Sequence, residues 1–278
     1  FKELISDIGV KGVWNDMNEP AVMEVPNKTF PMDVRHDYDG NPCSHRKAHN
    51  IYGTQMARAT YHGVKRFAYP KRPFIITRSA YSGAQRYSSS WTGDNVASWE
   101  HLWIANIQMQ RMSISGMGFT GSDIGGFAEQ PSGELYARWI QLGVFHPFCR
   151  THSSGDHGNQ EPWAFDEEVI HITRKFVNLR YQLLPYLYTM FWQYIEEGIP
   201  MSKPLVYFDQ NDTQTHYRND EFVFGNQILV CPILEANALG RRMYFPQGEW
   251  YNYWTNMVVM GAKEMWVDTQ FDEIPLFV

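Results

Sequence analysis

The sequence has few cysteines, no excess of basic charge and no long apolar run. Its three cysteines show no CxxC spacing, so they predict neither a disulfide framework nor a zinc site. With 24 Lys and Arg against 30 Asp and Glu, the net charge of −6 argues against a nucleic-acid-binding protein, because such proteins need a basic face. No apolar run approaches the ~18 residues of a membrane span.

The ends of the chain offer no targeting signal. It begins at Phe1 without an initiator methionine and finishes in the apolar run Ile274–Val278. We therefore expect the sequence to be a fragment of a longer protein. It predicts no localisation, because a cytoplasmic and an exported protein would look alike here.

Aromatic residues are abundant, with 10 Trp, 16 Tyr and 17 Phe. They could fill a large core, or some could form platforms on which sugar rings stack. Composition alone favours the core, so the positions of the aromatic residues matter more than their number.

Short apolar segments alternate with helical patterns, which predicts an α/β fold built from βα units. The predicted strands all end in polar or charged residues; they are Gly12–Asp16, Phe74–Arg78, Phe119–Asp123 and Gly143–Phe148. The predicted helices are Asn50–Ala68, Ser98–Ser115, Gly133–Leu142 and Asp166–Glu197. This order fits the later part of a (β/α)₈ barrel, about strands four to eight, over residues 1–220.

Two other parts of the chain have a different character. Residues 24–47 form a long Pro/Asp/His-rich segment without a clear period, which indicates a functional loop. From residue 221 to 278 short strands separated by turns predict an antiparallel β-sandwich segment. Its expected strands are Phe222–Phe224, Ile228–Cys231, Arg242–Phe245 and Trp250–Trp254.

Polar side chains gather where the predicted barrel strands end. Asp16 and Asp94 each lie close to a tryptophan, in WNDMNEP and WTGDN, and Asp123 lies in GSDIGGF. An isolated aspartate at such a place is usually a cap or a turn former. Together with Arg78 and His152, however, these carboxylates suit glycoside cleavage, which needs one carboxylic acid and one carboxylate.

The motifs WNDMNEP, TRSxxxGxQR, WTGDN, GSDIGGF and PFxRxH, in this order, resemble the barrel signatures of glycoside hydrolase family 31. The segments FGNQILVCPI and WYNYWT resemble the start of that family's proximal C-terminal β domain. The resemblance implies a retaining α-glucosidase that removes terminal α-linked glucose from oligosaccharides. WNDMNEP is similar to the glucosidase form of the nucleophile motif and differs from the form of α-xylosidases. The linkage preference stays open.

The resemblance also implies roles for individual residues. Asp16 would be the nucleophile and Asp94 the general acid/base. The substrate-binding residues implied are Trp14, Met17, Arg78, Trp91, Asp123, Phe127, Arg150 and His152. Neither a cofactor nor a metal is implied. For Glu19, Arg86 and His49 a supporting structural role is the expectation.

Two alternatives compete with this interpretation. A metal-dependent hydrolase could use the same aspartates and His152 as ligands, although such barrels usually show an early His-x-His. A non-catalytic carbohydrate-binding module would keep aromatic residues, but it has no need for two separate catalytic carboxylates. We expect an α-glucoside substrate and no nucleic-acid or membrane partner. As a partial barrel, the fragment would have no activity of its own and could self-associate through its open strand edges.

Overall fold

The computed structural model describes every residue from Phe1 to Val278, in two compact units, 1–91 and 92–278. The strands of the first unit are β1 (Val13–Asn15), β2 (Arg35–His36), β3 (Cys43–Ser44), β4 (Ile75–Thr77) and β5 (Ser89–Ser90). Its α-helices are α1 (His45–Ala48) and α2 (Tyr52–Ala68), with single turns of π- or 3₁₀-helix at Glu3–Asp7, His49–Ile51 and Ala84–Arg86. None of the helices in either unit has both the length and the apolar character of a membrane span.

The second unit is larger. Its helices are α3 (Trp99–Ile114), α4 (Gly133–Gly143), α5 (Glu167–Gln182), α6 (Leu184–Glu197) and α7 (Leu205–Phe208), with 3₁₀ turns at Pro162–Ala164 and Thr213–Thr215. Its strands are β6 (Asp123–Ile124), β7 (Arg150–Thr151), β8 (Ser202–Pro204), β9 (Phe222–Phe224), β10 (Ile228–Val230), β11 (Gly240–Phe245), β12 (Glu249–Tyr251), β13 (Val258–Met260), β14 (Lys263–Asp268) and β15 (Leu276–Phe277).

Parallel pairing organises the part of the chain that carries the predicted site. In the first unit β1, β4 and β5 form one parallel sheet in that order, and Asn15 lies opposite Thr77. In the second unit β6 and β7 pair in parallel, with Asp123 opposite Arg150. The predicted strands Gly12–Asp16 and Phe74–Arg78 are confirmed as β1 and β4.

The prediction of a strand at Phe119–Asp123 is wrong in its bounds, because only β6 is a strand there. Upstream, the backbone makes single hydrogen bonds rather than a ladder: Phe148 N donates to Thr120 O (3.0 Å) and Thr92 N to Gly121 O (3.1 Å). A Cβ at position 121 would lie 1.9 Å from Phe148 O, so the close approach of these segments requires glycine there.

The predicted strand Gly143–Phe148 is also wrong. Gly143 ends α4, and the carbonyl groups of Val144, His146 and Pro147 accept hydrogen bonds from Arg180 (2.7–2.8 Å) instead of joining a ladder. The nearest strand, β7, begins two residues after the end of this segment, at Arg150. The run is apolar because most of it is buried, and burial alone does not specify a strand.

Helix predictions failed mainly at boundaries. The predicted helix Asp166–Glu197 is two helices, α5 and α6, since Pro185 supplies no N–H and opens the second one. Asp166 does cap the first, accepting from Val169 N at 2.9 Å. Asn50, which the sequence suggests as the cap of α2, lies inside a 3₁₀ turn instead.

The buried face of α2 also differs from the prediction. Sequence periodicity predicts that Tyr52, Met56, Ala59, Gly63 and Phe67 share one face of this helix. The buried residues are instead Gly53, Ala57, Thr60 and Val64. The predicted apolar face is only partly covered.

The C-terminal part contains an antiparallel sheet with the order β15-β10-β9-β8 and two separate antiparallel pairs, β11-β14 and β12-β13. The strand prediction Phe222–Phe224 is confirmed as β9, whereas the predicted strand Trp250–Trp254 stops at Tyr251. Trp254 turns inwards instead, donating from Nε1 to Ile274 O at 2.7 Å. Buried apolar residues from α3–α6 and from this sheet form one continuous core.

Candidate functional site

In the first unit, Asp16 and Arg78 each follow directly after one of two paired parallel strands. The register Asn15↔Thr77 places the next residues side by side, and Arg78 N donates to Asn15 O at 2.9 Å. Because the carboxyl ends of parallel strands meet at one edge, their polar side chains converge there. The structure therefore brings together two residues that are 62 positions apart in sequence.

The guanidinium of Arg78 is shared between several acceptors. Its Nη1 lies 3.5 Å from Asp16 Oδ1 and 3.4 Å from Met17 Sδ, and its Nε donates to Glu19 Oε1 at 2.9 Å. The Asp16 side chain keeps 38% of its surface exposed. This exposure leaves the carboxylate accessible to a ligand.

Asn18, fully buried, ties the turn after β1 to the end of β4. Its Nδ2 donates to Thr77 Oγ1 at 2.8 Å, and its Oδ1 accepts from Ser79 N at 2.9 Å. The same turn contains Met17 with φ 57°, a left-handed conformation that is unfavourable for this residue type. Such strain persists where surrounding contacts over-determine the backbone, and here the amide of Asn18 supplies them.

Two indoles flank this cluster in sequence and contact each other. The rings of Trp14 and Trp91 are 5.2 Å apart at 77°, an edge-to-face arrangement. Trp91 is buried, whereas Trp14 is 41% exposed. The pair therefore presents one apolar surface to solvent on a rigid support.

In the second unit, Asp123 is completely buried and paired with Arg150. Arg150 donates from Nε (3.1 Å) and Nη2 (2.9 Å) to the same carboxylate oxygen, Oδ1. The other oxygen, Oδ2, is buried without a hydrogen-bond partner in the protein. A buried carboxylate oxygen without a donor is unfavourable, so it is suited to accept from a bound hydroxyl group.

The pKa of Asp123 is raised to about 6, chiefly by burial and least by the charge of Asp94, while Arg150 acts in the opposite direction. The effect of burial dominates because a desolvated carboxylate loses its hydration. At neutral pH the carboxylate form still prevails, and it can accept hydrogen bonds from a ligand.

Asp94 is exposed, and the next residue fixes its position. Asn95 is buried, donates from Nδ2 to Asp123 O (2.9 Å) and accepts at Oδ1 from Phe127 N (2.9 Å). The ring of Phe127 stacks on that of His152 at 5.4 Å and 30°. Asn95 thus connects the loop of Asp94 with the loop that carries Asp123 and Phe127.

The predicted site residues form small groups within each unit. In the first unit Asp16, Met17 and Arg78 lie together, and Trp14 contacts Trp91. In the second, Asp123 contacts Arg150, and Phe127 contacts His152. No group of three or more His, Cys, Asp or Glu side chains is arranged to hold a metal ion in either unit.

Sequence reasoning did not assign roles to Asn18, Thr77 and Asn95. The signal was the dense run of amides and hydroxyls beside the aspartates, since a buried amide must have partners for its donors and acceptor. Among the residues expected to be supporting, Glu19 contacts Arg78, and His49 hydrogen-bonds to His45 at 2.8 Å.

An aspartate and an arginine directly after two paired parallel strands, with the exposed indole of Trp14 in the same unit, are typical of carbohydrate-active enzymes of the barrel type. The model of the glycosyl hydrolases family 31 TIM-barrel domain matches residues 1–190, and that of the glycosyl hydrolase family 31 C-terminal domain matches residues 198–278. The chain belongs to glycosyl hydrolase family 31.

Relatives cover the chain almost completely. Alpha-glucosidase 2 of Bacillus thermoamyloliquefaciens is 43% identical over 99% of this chain. The crystal structure of a glucosidase II alpha subunit in its alpha3-Glc2-bound form has a TM-score of 0.91 at 34% identity over 96% of the chain. A Flavobacterium johnsoniae dextranase of the family, complexed with glucose, has a TM-score of 0.90 at 31% identity over 98%. This chain spans 35%, 29% and 34% of those three proteins, respectively.

Proposed function

We propose that the enzyme containing this chain is a retaining α-glucosidase that removes terminal α-linked glucose from oligosaccharides. In this assignment residues 1–220 supply about strands four to eight of a (β/α)₈ barrel, with β1 as the fourth strand. Residues 221–278 begin the proximal C-terminal β domain. The observation that carries the proposal is the cluster of Asp16, Met17 and Arg78 after two paired parallel strands, in a chain 43% identical to an α-glucosidase.

The first chemical step forms a bond from Asp16 to the anomeric carbon of the substrate. One carboxylate oxygen of Asp16 attacks C1 as the bond from C1 to the glycosidic oxygen breaks. Asp94 gives its proton to the departing oxygen, so the aglycone leaves as an alcohol. The product of this step is a glucosyl ester of Asp16.

The second step returns the enzyme to its starting state. Asp94, now a carboxylate, removes a proton from water, whose oxygen attacks C1 and displaces Asp16. Two inversions give α-glucose. Arg78, which contacts Asp16, would stabilise its carboxylate as it leaves.

The remaining site residues would bind the glucosyl unit. Asp123, oriented by Arg150, would accept hydroxyl hydrogen bonds at its unpartnered Oδ2. His152, supported by the ring of Phe127, would hold a further hydroxyl group. The indole of Trp14, resting on that of Trp91, would form an apolar wall.

The stereochemical course tests the mechanism directly. The full-length enzyme would be incubated with 4-nitrophenyl α-glucoside, whose leaving group is not a sugar, and the anomeric protons of released glucose would be followed by NMR before mutarotation. We expect α-glucose as the first product. β-Glucose as the first product would exclude the double displacement, and no release from any α-glucoside would exclude the α-glucosidase itself.

The 278-residue chain would have no turnover by itself, because it supplies only part of a barrel. Its strand edges would also promote self-association. Turnover of an aryl α-glucoside and light scattering on the purified chain would test both points. A monodisperse monomer with the activity of the full-length enzyme would contradict the placement of the barrel strands.

A further inference from the structure

A cavity of about 580 Å³ lies in the first unit, between the segment that follows β2 and one face of α2. Small-molecule sites usually measure ~300–1,000 Å³. None of its lining residues belongs to the candidate catalytic site. The face of α2 that contributes to it carries Tyr52, Met56 and Ala59, which belong to the apolar face that periodicity predicts.

The walls of the cavity are fixed before any ligand binds. His36 Nε2 is hydrogen-bonded to Nδ1 of the fully buried His45 at 2.9 Å, and His45 Nε2 to His49 Nδ1 at 2.8 Å. Tyr52 packs edge-on against His36 (5.8 Å) and Phe30 (5.9 Å). Binding would therefore need little ordering of these side chains, which favours affinity.

The turn that closes the cavity is strained. Tyr38 and Asp39 have φ values of 48° and 55°, in the left-handed region that tyrosine rarely adopts. Gly40 N donates to Asp37 Oδ2 at 3.3 Å, which holds the turn closed. Strain of this kind is concentrated at ligand clamps and active sites.

The lining excludes several classes of ligand. Its arginine, Arg58, already donates to Asp39 (2.7 Å) and to Gln55 (3.1 Å), so its charge is largely matched within the protein. Lys47 lines no part of the cavity, although its Nζ lies 4.9 Å from the centre of the Tyr38 ring. The carboxylates of Asp37 and Asp39 would also repel an anion. Burying them against a lipid chain would cost free energy, because a charged group would lose its hydration. The aromatic rings of Tyr38 and Tyr52 with acceptors beside them suit a neutral molecule that has an apolar face and hydroxyl edges.

We propose that this cavity is a second carbohydrate-binding site, which takes an α-linked pyranose unit of a glucan chain. The pyranose would pack its C–H face on Tyr52 or on the face of the Tyr38 ring opposite Lys47 Nζ, and its hydroxyl groups would donate to the carboxylates and to Gln55. The choice of glucose rests on the proposed function, whereas the presence of a neutral-sugar site does not.

Native gel electrophoresis of the full-length enzyme in gels containing soluble dextrin would test the site. Retardation would be compared for the wild type, Tyr38→Ala, Gln55→Ala and the control Tyr217→Ala, whose side chain is 94% exposed and lines no part of the cavity. We expect about tenfold weaker binding for Tyr38→Ala, the loss of one aromatic platform. Gln55→Ala should weaken binding less, and the control should match the wild type.

The same variants would be assayed on an aryl α-glucoside, for which we expect unchanged kcat and KM. Equal retardation of all four proteins, or none of the wild type, would overturn the proposal. A parallel loss of aryl-glucoside turnover in Tyr38→Ala and Gln55→Ala would also overturn it, because the cavity would then belong to the catalytic site. If the wild type turned over no α-glucoside, the proposed function would fail, while unequal retardation would still support the sugar site.

Discussion

Two aspartate–arginine pairs, one in each unit, use the same residue types in opposite ways. Asp16 is 38% exposed, lies 3.5 Å from Arg78 and shares that cation with Glu19. Asp123 has no exposed surface and receives two hydrogen bonds from Arg150. The first pair is open and loosely held, whereas the second is closed and rigid.

The difference matches the chemistry proposed for each carboxylate. A nucleophile must reach a carbon atom and then leave it, so a tight, buried ion pair would hold it in its ground state. A hydroxyl acceptor must keep a fixed position throughout the reaction, so burial and a double hydrogen bond are favourable. Variants that had the same effect on both pairs would contradict this division of roles.

The largest effect is expected for Asp16→Ala in the full-length enzyme. Without the nucleophile, turnover should fall on the order of 10⁵-fold or more on every substrate, activated or not. Steady-state rates on maltose and on 4-nitrophenyl α-glucoside would measure it. Asp33→Ala, at an exposed aspartate of the same unit, serves as the control and should retain full activity.

An Asp16→Ala enzyme with more than a hundredth of the wild-type rate would show that this carboxylate is not the nucleophile. The exposure of Asp16 could then no longer be explained by a role as nucleophile. Azide or formate added to the variant should open a direct displacement and give a product of inverted configuration.

A smaller, substrate-dependent effect is expected for Asp94→Ala. Natural disaccharides need protonation of the leaving oxygen, so kcat/KM for maltose should fall by roughly 10²–10⁴-fold. An aryl glucoside with a good leaving group should lose much less in its first step. Azide should restore turnover of the aryl substrate and yield α-glucosyl azide, because azide replaces water in the second inversion; equal losses on both substrates would contradict the acid/base role.

The closed pair, Asp123 with Arg150, should determine how kcat/KM falls at acidic pH. The pKa of Asp123 is raised to about 6, so its acceptor form is lost, and kcat/KM should fall, as the pH drops through about 6. Arg150 lowers that pKa, so Arg150→Met should raise it and move the acidic limb to higher pH. Lys175→Met, which removes a cation paired with Asp272 at 2.8 Å, is the matched control and should leave the limb in place.

An acidic limb that stays in place in Arg150→Met would show that Asp123 does not govern it. The variant also leaves a buried carboxylate without its cation, which typically costs ~3–5 kcal/mol of stability. Thermal unfolding must therefore accompany the kinetics, and the profile is to be recorded well below the melting temperature.

The sequence predicted the polar positions of the site better than the elements between them. Asp16 and Arg78 could be located because a short apolar strand ending in a charge has few structural interpretations. Phe119–Asp123 and Gly143–Phe148 were misassigned since local apolarity cannot reveal a long-range partner. The carbonyl groups of the second segment are bound by Arg180, more than thirty residues later.

The supporting network was harder to predict for a similar reason. Asn18 lies in a motif that sequence reasoning recognised, but its partners Thr77 and Ser79 are about sixty residues away. The face of α2 was misplaced because periodicity identifies an apolar stripe without showing what covers it. Only the structure shows that this stripe lines a cavity.

The smallest effect is expected for Asn18→Ala. The loss of stability in this variant measures how much the Asn18 amide stabilises the turn that carries Asp16. Asn18→Ala leaves the Ser79 N–H without its acceptor and removes the donor to Thr77 Oγ1, which still donates to Ser79 O; we expect a loss of ~1–3 kcal/mol. In a protein of this size that corresponds to a fall in melting temperature of about 2–4 °C per kcal/mol, or less. Differential scanning calorimetry of the full-length enzyme would detect it, with the exposed Asn27→Ala as control.

A positioning role for Asn18 predicts more than lost stability. If its amide holds the strained Met17 turn, kcat on maltose should fall in Asn18→Ala while KM changes little, because the turn also carries Asp16. Thr77→Val should reproduce part of the defect, and Thr77→Ser, which keeps the hydroxyl acceptor, should not. If kcat is unchanged in a variant whose melting temperature falls, the amide supports the fold alone, and the open pair is held by Arg78 and Glu19 without it.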